Sequence, residues 1–160
     1  MQKIPARFVV PFLLMFLAAG MACTSLFNAS SDDTPAQIEQ KIFKLVNAHR
    51  LSIGACELVW NDTIAGQARL HSQDMADGRV PFGHDGAENR WAVIGKTIPW
   101  RAAAEVVALA PTAAVAVNAW IASADHKPYI EGDYILTGIG VVKDKSGRSF
   151  YATQIFIKPR

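Results

Sequence analysis

Two imidazoles and one carboxylate stand out in this chain because their neighbours leave them little other purpose. His84 lies in Pro81-Phe82-Gly83-His84-Asp85-Gly86, an otherwise apolar and small segment apart from Asp85. Glu105 is the sole charged residue of Ala102-Ala103-Ala104-Glu105-Val106-Val107-Ala108-Leu109-Ala110. A buried, unpaired carboxylate is costly. Glu105 must therefore reach solvent, as on an exposed helix face, or meet a cation, a metal or backbone N–H donors. His126 follows Trp120-Ile121-Ala122-Ser123-Ala124-Asp125, at the end of a helical stretch whose dipole favours an imidazole even without a function. Two neutral imidazoles and a carboxylate with one open position make a zinc set of the catalytic kind. One reading is thus a metal-dependent hydrolase using His84, Glu105 and His126, with His84 and His126 as metal ligands. A metal-free version makes Glu105 the general base and His84 the acid. The three residues come from separate segments, however, and no His-Glu-x-x-His helix, Ser/His/Asp set or Cys/His set accompanies them. A binding cleft needs no nucleophile and is the leading reading, while a purely structural surface protein is a third. His49 and His71 both fall in helical stretches and read as part-buried, satisfied side chains.

The elements that must position these groups follow from periodicity and punctuation. Thr34-Pro35 starts a helix, with Thr34 as N-cap and Pro35 at the first turn. Ile38, Ile42, Leu45, Val46 and His49 then share one stripe, and Ser52-Ile53-Gly54 ends it. Asn61-Asp62 caps a second helix with Ile64, Ala65, Ala68, Ser72 and Met75 facing inward, stopped by Asp77-Gly78. Residues 79–100 form a long irregular or partly helical section, and segments of that length are usually functional or ordered by something else. Thr112 caps a third helix reaching Ser123 or Ala124. Thr137 to Lys143 and Phe150 to Lys158 make a hairpin through Asp144-Lys145-Ser146-Gly147. Both strands are apolar on both faces, which calls for a sheet covered on each side. Helices first and strands last give an α+β class.

Bulk properties narrow the setting. A chain of 160 residues supports one domain after processing. Lys3 and Arg7, the apolar run Phe8 to Ala19, and the small residues Gly20-Met21-Ala22 before Cys23 read as a signal peptide over residues 1–22. The run is too short to serve as a spanning helix. Cleavage after Ala22 competes with lipidation of Cys23, which the polar spacer 23–34 would suit as a tether; either way the chain is exported, secreted or anchored to the envelope. Without Lys3 and Arg7 the basic count falls from 16 to 14, level with the 14 acids. A near-neutral domain with no basic stripe argues against nucleic acid or an anionic membrane as main partner. The membrane enters only through the possible anchor, and a monomer is expected. Cys56 has only Cys23 as a mate and is expected to be a small buried hydrophobe, before the buried strand Glu57-Leu58-Val59-Trp60.

Five pieces in register carry a resemblance: Phe82-Gly83-His84-Asp85-Gly86 with Arg90; Ala104-Glu105; Trp120-x-x-Ser123-x-x-His126; Gly138-Ile139-Gly140-Val141; and Tyr151-Ala152-Thr153-Gln154-Ile155-Phe156. Together they resemble the bacterial SCP-like form of the CAP superfamily (cysteine-rich secretory, antigen 5 and pathogenesis-related proteins), across nearly the whole mature region. The resemblance implies a three-layer α-β-α sandwich with a mostly antiparallel sheet over residues 35–160. It implies that His84 lines a central cavity and faces Glu105, within a hydrogen bond or one water. Ala87-Glu88-Asn89 imitates the family's Ala-Glu-Asn motif but lies only four residues after His84, so Ala104-Glu105 is taken instead. Val106 replaces the motif's Asn, and Asp125 and Lys127 replace the Gly and Arg that flank the bacterial His. Ser123 and Tyr151 occupy the positions of the second cavity Glu and His of eukaryotic members, so that four-residue set is incomplete. The expected cleft is His84, Glu105, Ser123, His126 and Tyr151, holding a lipid, a cell-wall fragment or a protein. Removing His84 or Glu105 is expected to cost little stability; removing Trp120 is expected to cost much. Zinc is the one cofactor the residues suggest.

Overall fold

A computed structural model describes residues 33–160. The expected signal peptide, the expected lipidation at Cys23 and nearly all of the expected spacer fall outside the described residues. The described elements, in order, are α1 (Pro35–Ser52), β1 (Val59–Trp60), α2 (Asp62–Ala76), α3 (Ala87–Gly95), β2 (Trp100–Ala110), α4 (Ala113–Ala122), α5 (Lys127–Glu131), β3 (Leu136–Lys143) and β4 (Phe150–Pro159). The starts of α1, α2 and α4 are those the sequence marks, while α3 and α5 have no start marked there. Thr34 and Gln37 form a reciprocal capping box on α1, Asn61 Oδ1 accepts from Ile64 N at 3.1 Å, and Thr112 Oγ1 accepts from Val115 N at 3.2 Å.

The strands form one sheet in the order β1-β3-β4-β2. β4 runs antiparallel to both β3 and β2, while the short β1 lies parallel to β3, so the sheet is mixed. Because side chains alternate along a strand, each central strand divides its residues between two layers. Ala104, Val106, Ala108, Ile139, Val141, Ala152 and Phe156 join a core with α1, α4 and α5. Ile155 and Ile157, with Ala103 packed against them, join a second core with Ile64, Ala68 and Ile94 of α2 and α3. The sheet is thus covered on both faces, giving the expected α+β sandwich.

Glycine settles how closely α2 lies on the sheet. A Cβ at Gly138 would fall 2.1 Å from Ala65 N, and one at Gly140 would fall 2.1 Å from Arg69 N. Backbone therefore packs on backbone, and only glycine admits that approach.

Three local expectations are corrected. Cys56 is exposed, not buried, because it lies in the turn after α1, where its carbonyl is tied to Arg50 Nε at 2.8 Å. Only Val59–Trp60 of the expected buried strand is a strand; Leu58 is buried but Val59 lies open at the sheet edge. Leu45 on α1 is exposed, whereas Glu39, Asn47 and Arg50 are buried, since those polar groups find specific partners. Glu39 pairs with Arg69 at 2.6 Å, and Asn47 exchanges hydrogen bonds with the Leu58 backbone at 2.9 and 3.0 Å.

Candidate functional site

Glu105 is the anchor of the site. It sits within β2, opposite Ile155 of β4, and its side chain is 1% exposed. The alanines around it are what an edge strand needs beneath two closely applied layers; the exposed helix position is not where Glu105 lies. Period two sends it to the face of Ala103, between α2 and α3. There Arg90 of α3 reaches it as a fork, Nε to Oε2 at 2.8 Å and Nη2 to Oε1 at 2.7 Å. Such bidentate, charge-assisted pairs are the strong ones. His84 Nδ1 lies 3.0 Å from Oε1, and His71 Nε2 lies 3.9 Å from the same oxygen. The expected adjacency of His84 and Glu105 is thus present as a direct hydrogen bond.

The electrostatics follow from these partners. Burial by itself raises the Glu105 carboxyl; the His84 hydrogen bond, Arg90 and the nearby His71 outweigh it and hold the carboxyl below its ordinary range. An ionised carboxylate only accepts. His84 Nδ1 therefore carries the hydrogen, and in the neutral ring Nε2 is left as an acceptor. The His84 side chain is 47% exposed.

The loop carrying His84 is pinned from two sides. His71 Nε2–H donates to Gly83 O at 2.8 Å, and Arg90 Nη1 donates to Asp85 O at 2.8 Å. Gly86 then adopts φ +77 to open α3, a left-handed value that glycine accepts without strain. Beneath the loop, Phe82 lies against Tyr151 with ring centroids 6.4 Å apart. Tyr151 pairs with Leu109 across β4 and β2, on the same sheet face as Glu105.

Ser123 and His126 are placed differently. Ser123 ends α4 and accepts at Oγ from the backbone N–H groups of Asp125 and His126, both at 3.3 Å. His126 precedes α5, which packs with α1 and α4, and no hydrogen bond or ion pair joins its ring to His84 or Glu105. Among the described residues, no three His, Cys, Asp or Glu side chains form a group that could hold a metal ion. The zinc reading has no geometric support: Arg90 takes the Glu105 oxygens that a metal would need.

Two members were missed in the sequence. Arg90 was matched only as a letter of a pattern, although Glu105 demanded a cation. His71 is satisfied, as expected, yet it also approaches Glu105. Its signal was available: Ile64, Ala68, His71 and Met75 make one buried helical stripe with an imidazole in it.

Family and fold follow from likeness to known proteins. The cysteine-rich secretory protein (CAP) family matches residues 43–156. An extracellular protein with an SCP domain from Bacillus anthracis is 29% identical, with TM-score 0.63, over 81% of this chain and 45% of that one. An outer surface protein from Borrelia burgdorferi is 17% identical with TM-score 0.68, over 80% of this chain and 97% of that one. A cysteine-rich secretory protein from Staphylococcus aureus is 18% identical with TM-score 0.64, over 79% of this chain and 40% of that one. The last two show a shared fold, and this chain spans less than half the length of the Bacillus and Staphylococcus proteins. No curated protein matches. With the match covering more than half of the chain and its motifs set in the shared sandwich, the chain belongs to the CAP family of cysteine-rich secretory proteins.

Proposed function

We propose that this protein is exported and that the His84 cleft binds a ligand of the cell envelope. One observation carries the reading: a half-exposed imidazole is fixed by a buried carboxylate and an arginine fork, with its second nitrogen turned free. A histidine serving only the fold would be buried and satisfied at both ends, as His71 nearly is. Convergent polar groups beside apolar side chains are the usual make-up of a ligand site. Export is supported by the basic and apolar leader ahead of Cys23 and by the extracellular Bacillus relative. Cys23 as a lipidated first residue is the anchored form of the same proposal.

The test is cosedimentation of the full chain with isolated bacterial envelopes. Wild type is expected to sediment saturably, and His84→Ala is expected to lose about tenfold in affinity, or about 1.4 kcal/mol. Equal sedimentation of the two proteins overturns the reading.

A further inference from the structure

We infer that the His84 cleft extends onto an aromatic shelf, and that its ligand is a neutral oligosaccharide held by stacking at one end and by His84 Nε2 at the other. This deepens the proposed function and rests on it. The shelf is Phe82, Tyr151 and Leu109. Phe82 and Leu109 are 55% and 51% exposed, large apolar groups left open on the face that carries Glu105. Phe82 is two residues before His84, so loop and shelf are one surface. The Tyr151–Leu109 pair lies four residues along the strands from the Ile155–Glu105 pair, about 13 Å at the usual rise. That span suits several linked rings better than one.

Charge narrows the ligand class. Arg90 is engaged by Glu105 and Asp85 O, and His71 Nε2 by Gly83 O, so neither side chain is free to receive a carboxylate or phosphate. The Glu105 and Arg90 charges cancel. What remains for a ligand is the unengaged Nε2 of His84, a phenolic hydroxyl that can donate or accept, and two tilted ring faces. Sugars match that set, since they offer hydroxyl donors beside flat C–H faces. Three side chains are too few for a stable protein interface, which takes about 20–30 residues a side. An acyl chain would be sought by an enclosed apolar channel, whereas this shelf is open.

The experiment is calorimetric titration of the full chain with a soluble β-1,4-linked N-acetylglucosamine tetramer. Wild type is expected to bind saturably, and Phe82→Ala and His84→Ala each to lose about tenfold in affinity while keeping the wild-type melting temperature. The tetramer is also expected to release the protein from envelopes. No saturable binding, or binding unchanged in Phe82→Ala, overturns the inference, as does phosphatidylglycerol vesicles binding through Phe82 where the tetramer does not. If the tetramer fails while envelope binding stays dependent on His84, the inference falls and the proposed function stands. Envelope binding indifferent to His84 removes both.

Discussion

Two arginines, one in each helical layer, solve the problem of a buried cation in different ways. Arg50 of α1 is buried and spends its donors on backbone carbonyls: Cys56 O, Ile130 O and Gly132 O at 2.8 Å each, and Tyr134 O at 3.4 Å. It knots the segment after α1 to α5 and to the stretch between α5 and β3, and its pKa is lowered by burial, with the Cys56 side chain opposing. Nothing in that network is left open to a ligand. Arg90 of α3, 10% exposed at its side chain, spends its fork on Glu105, which in turn holds an imidazole that faces solvent. The first network ends in backbone, the second in a free ring nitrogen. The difference separates a structural knot from the candidate site: the Arg50 network closes on backbone carbonyls, whereas the Arg90 network holds an imidazole that faces solvent.

The largest effect should come from breaking the architectural layer. Trp120 of α4 is fully buried against the sheet, and its Nε1–H donates to Val107 O at 2.9 Å on the edge strand β2. Trp120→Ala removes the core aromatic and strands that carbonyl. The expected cost is about 3–5 kcal/mol, read as a lowered urea midpoint. Ligand binding by the fraction that remains folded should be unchanged. A cost below about 1 kcal/mol would mean that this layer does not carry the fold.

The contrast explains what was legible in the sequence. Caps, helical stripes and the Thr137–Lys158 hairpin announced most of the sandwich because each rests on local chemistry: a hydroxyl at an N-cap, period 3.6, period two. The Gly138-Ile139-Gly140 spelling was visible, but its reason, α2 lying on bare backbone, needs the third dimension. β2 is not legible as a strand, since Ala102 to Ala110 offers little β-branching to separate strand from helix. Small or apolar type alone does not tell which way a residue points: Cys56 lies open in the segment after α1, and on α1 itself Leu45 is exposed while Glu39, Asn47 and Arg50 are buried. His84 beside Glu105 came from the family pattern. The same pattern holds Arg90 only as a matching letter and His71 not at all, because their roles exist only through Glu105, a partner distant in sequence.

A middle-sized effect belongs to the anchor. The sequence suggested that Glu105 could be removed at little cost; its burial and its fork to Arg90 reverse that. Glu105→Gln leaves the guanidinium without its counter-charge and should cost about 2–3 kcal/mol at neutral pH. The pH dependence fixes the sign. The folded-state carboxyl titrates below its ordinary range, so its stabilisation is present above that range and is lost as pH falls through the folded value. Urea midpoints measured from pH 7 downward should therefore show the wild-type advantage over Glu105→Gln shrinking in acid, from about pH 5. A gap that stays constant or widens would mean that the Glu105 charge is not what stabilises this layer.

The smallest effect on stability should fall on His84, the residue on which the proposed function rests. His84 is half exposed, its one side-chain hydrogen bond goes to a carboxylate that Arg90 still satisfies when the ring is gone, and its loop is held by His71 and Arg90 through backbone carbonyls. His84→Ala should thus cost less than about 1 kcal/mol, with a circular-dichroism melt close to wild type, while envelope binding falls about tenfold. The pair of measurements is what tells site from scaffold. A ring held for packing would give the opposite pattern, a loss of stability like that of Glu105→Gln with binding unchanged per folded molecule. That result would make the α2/α3 network a second closed knot, equivalent to the one around Arg50, and the contrast between the two layers would disappear.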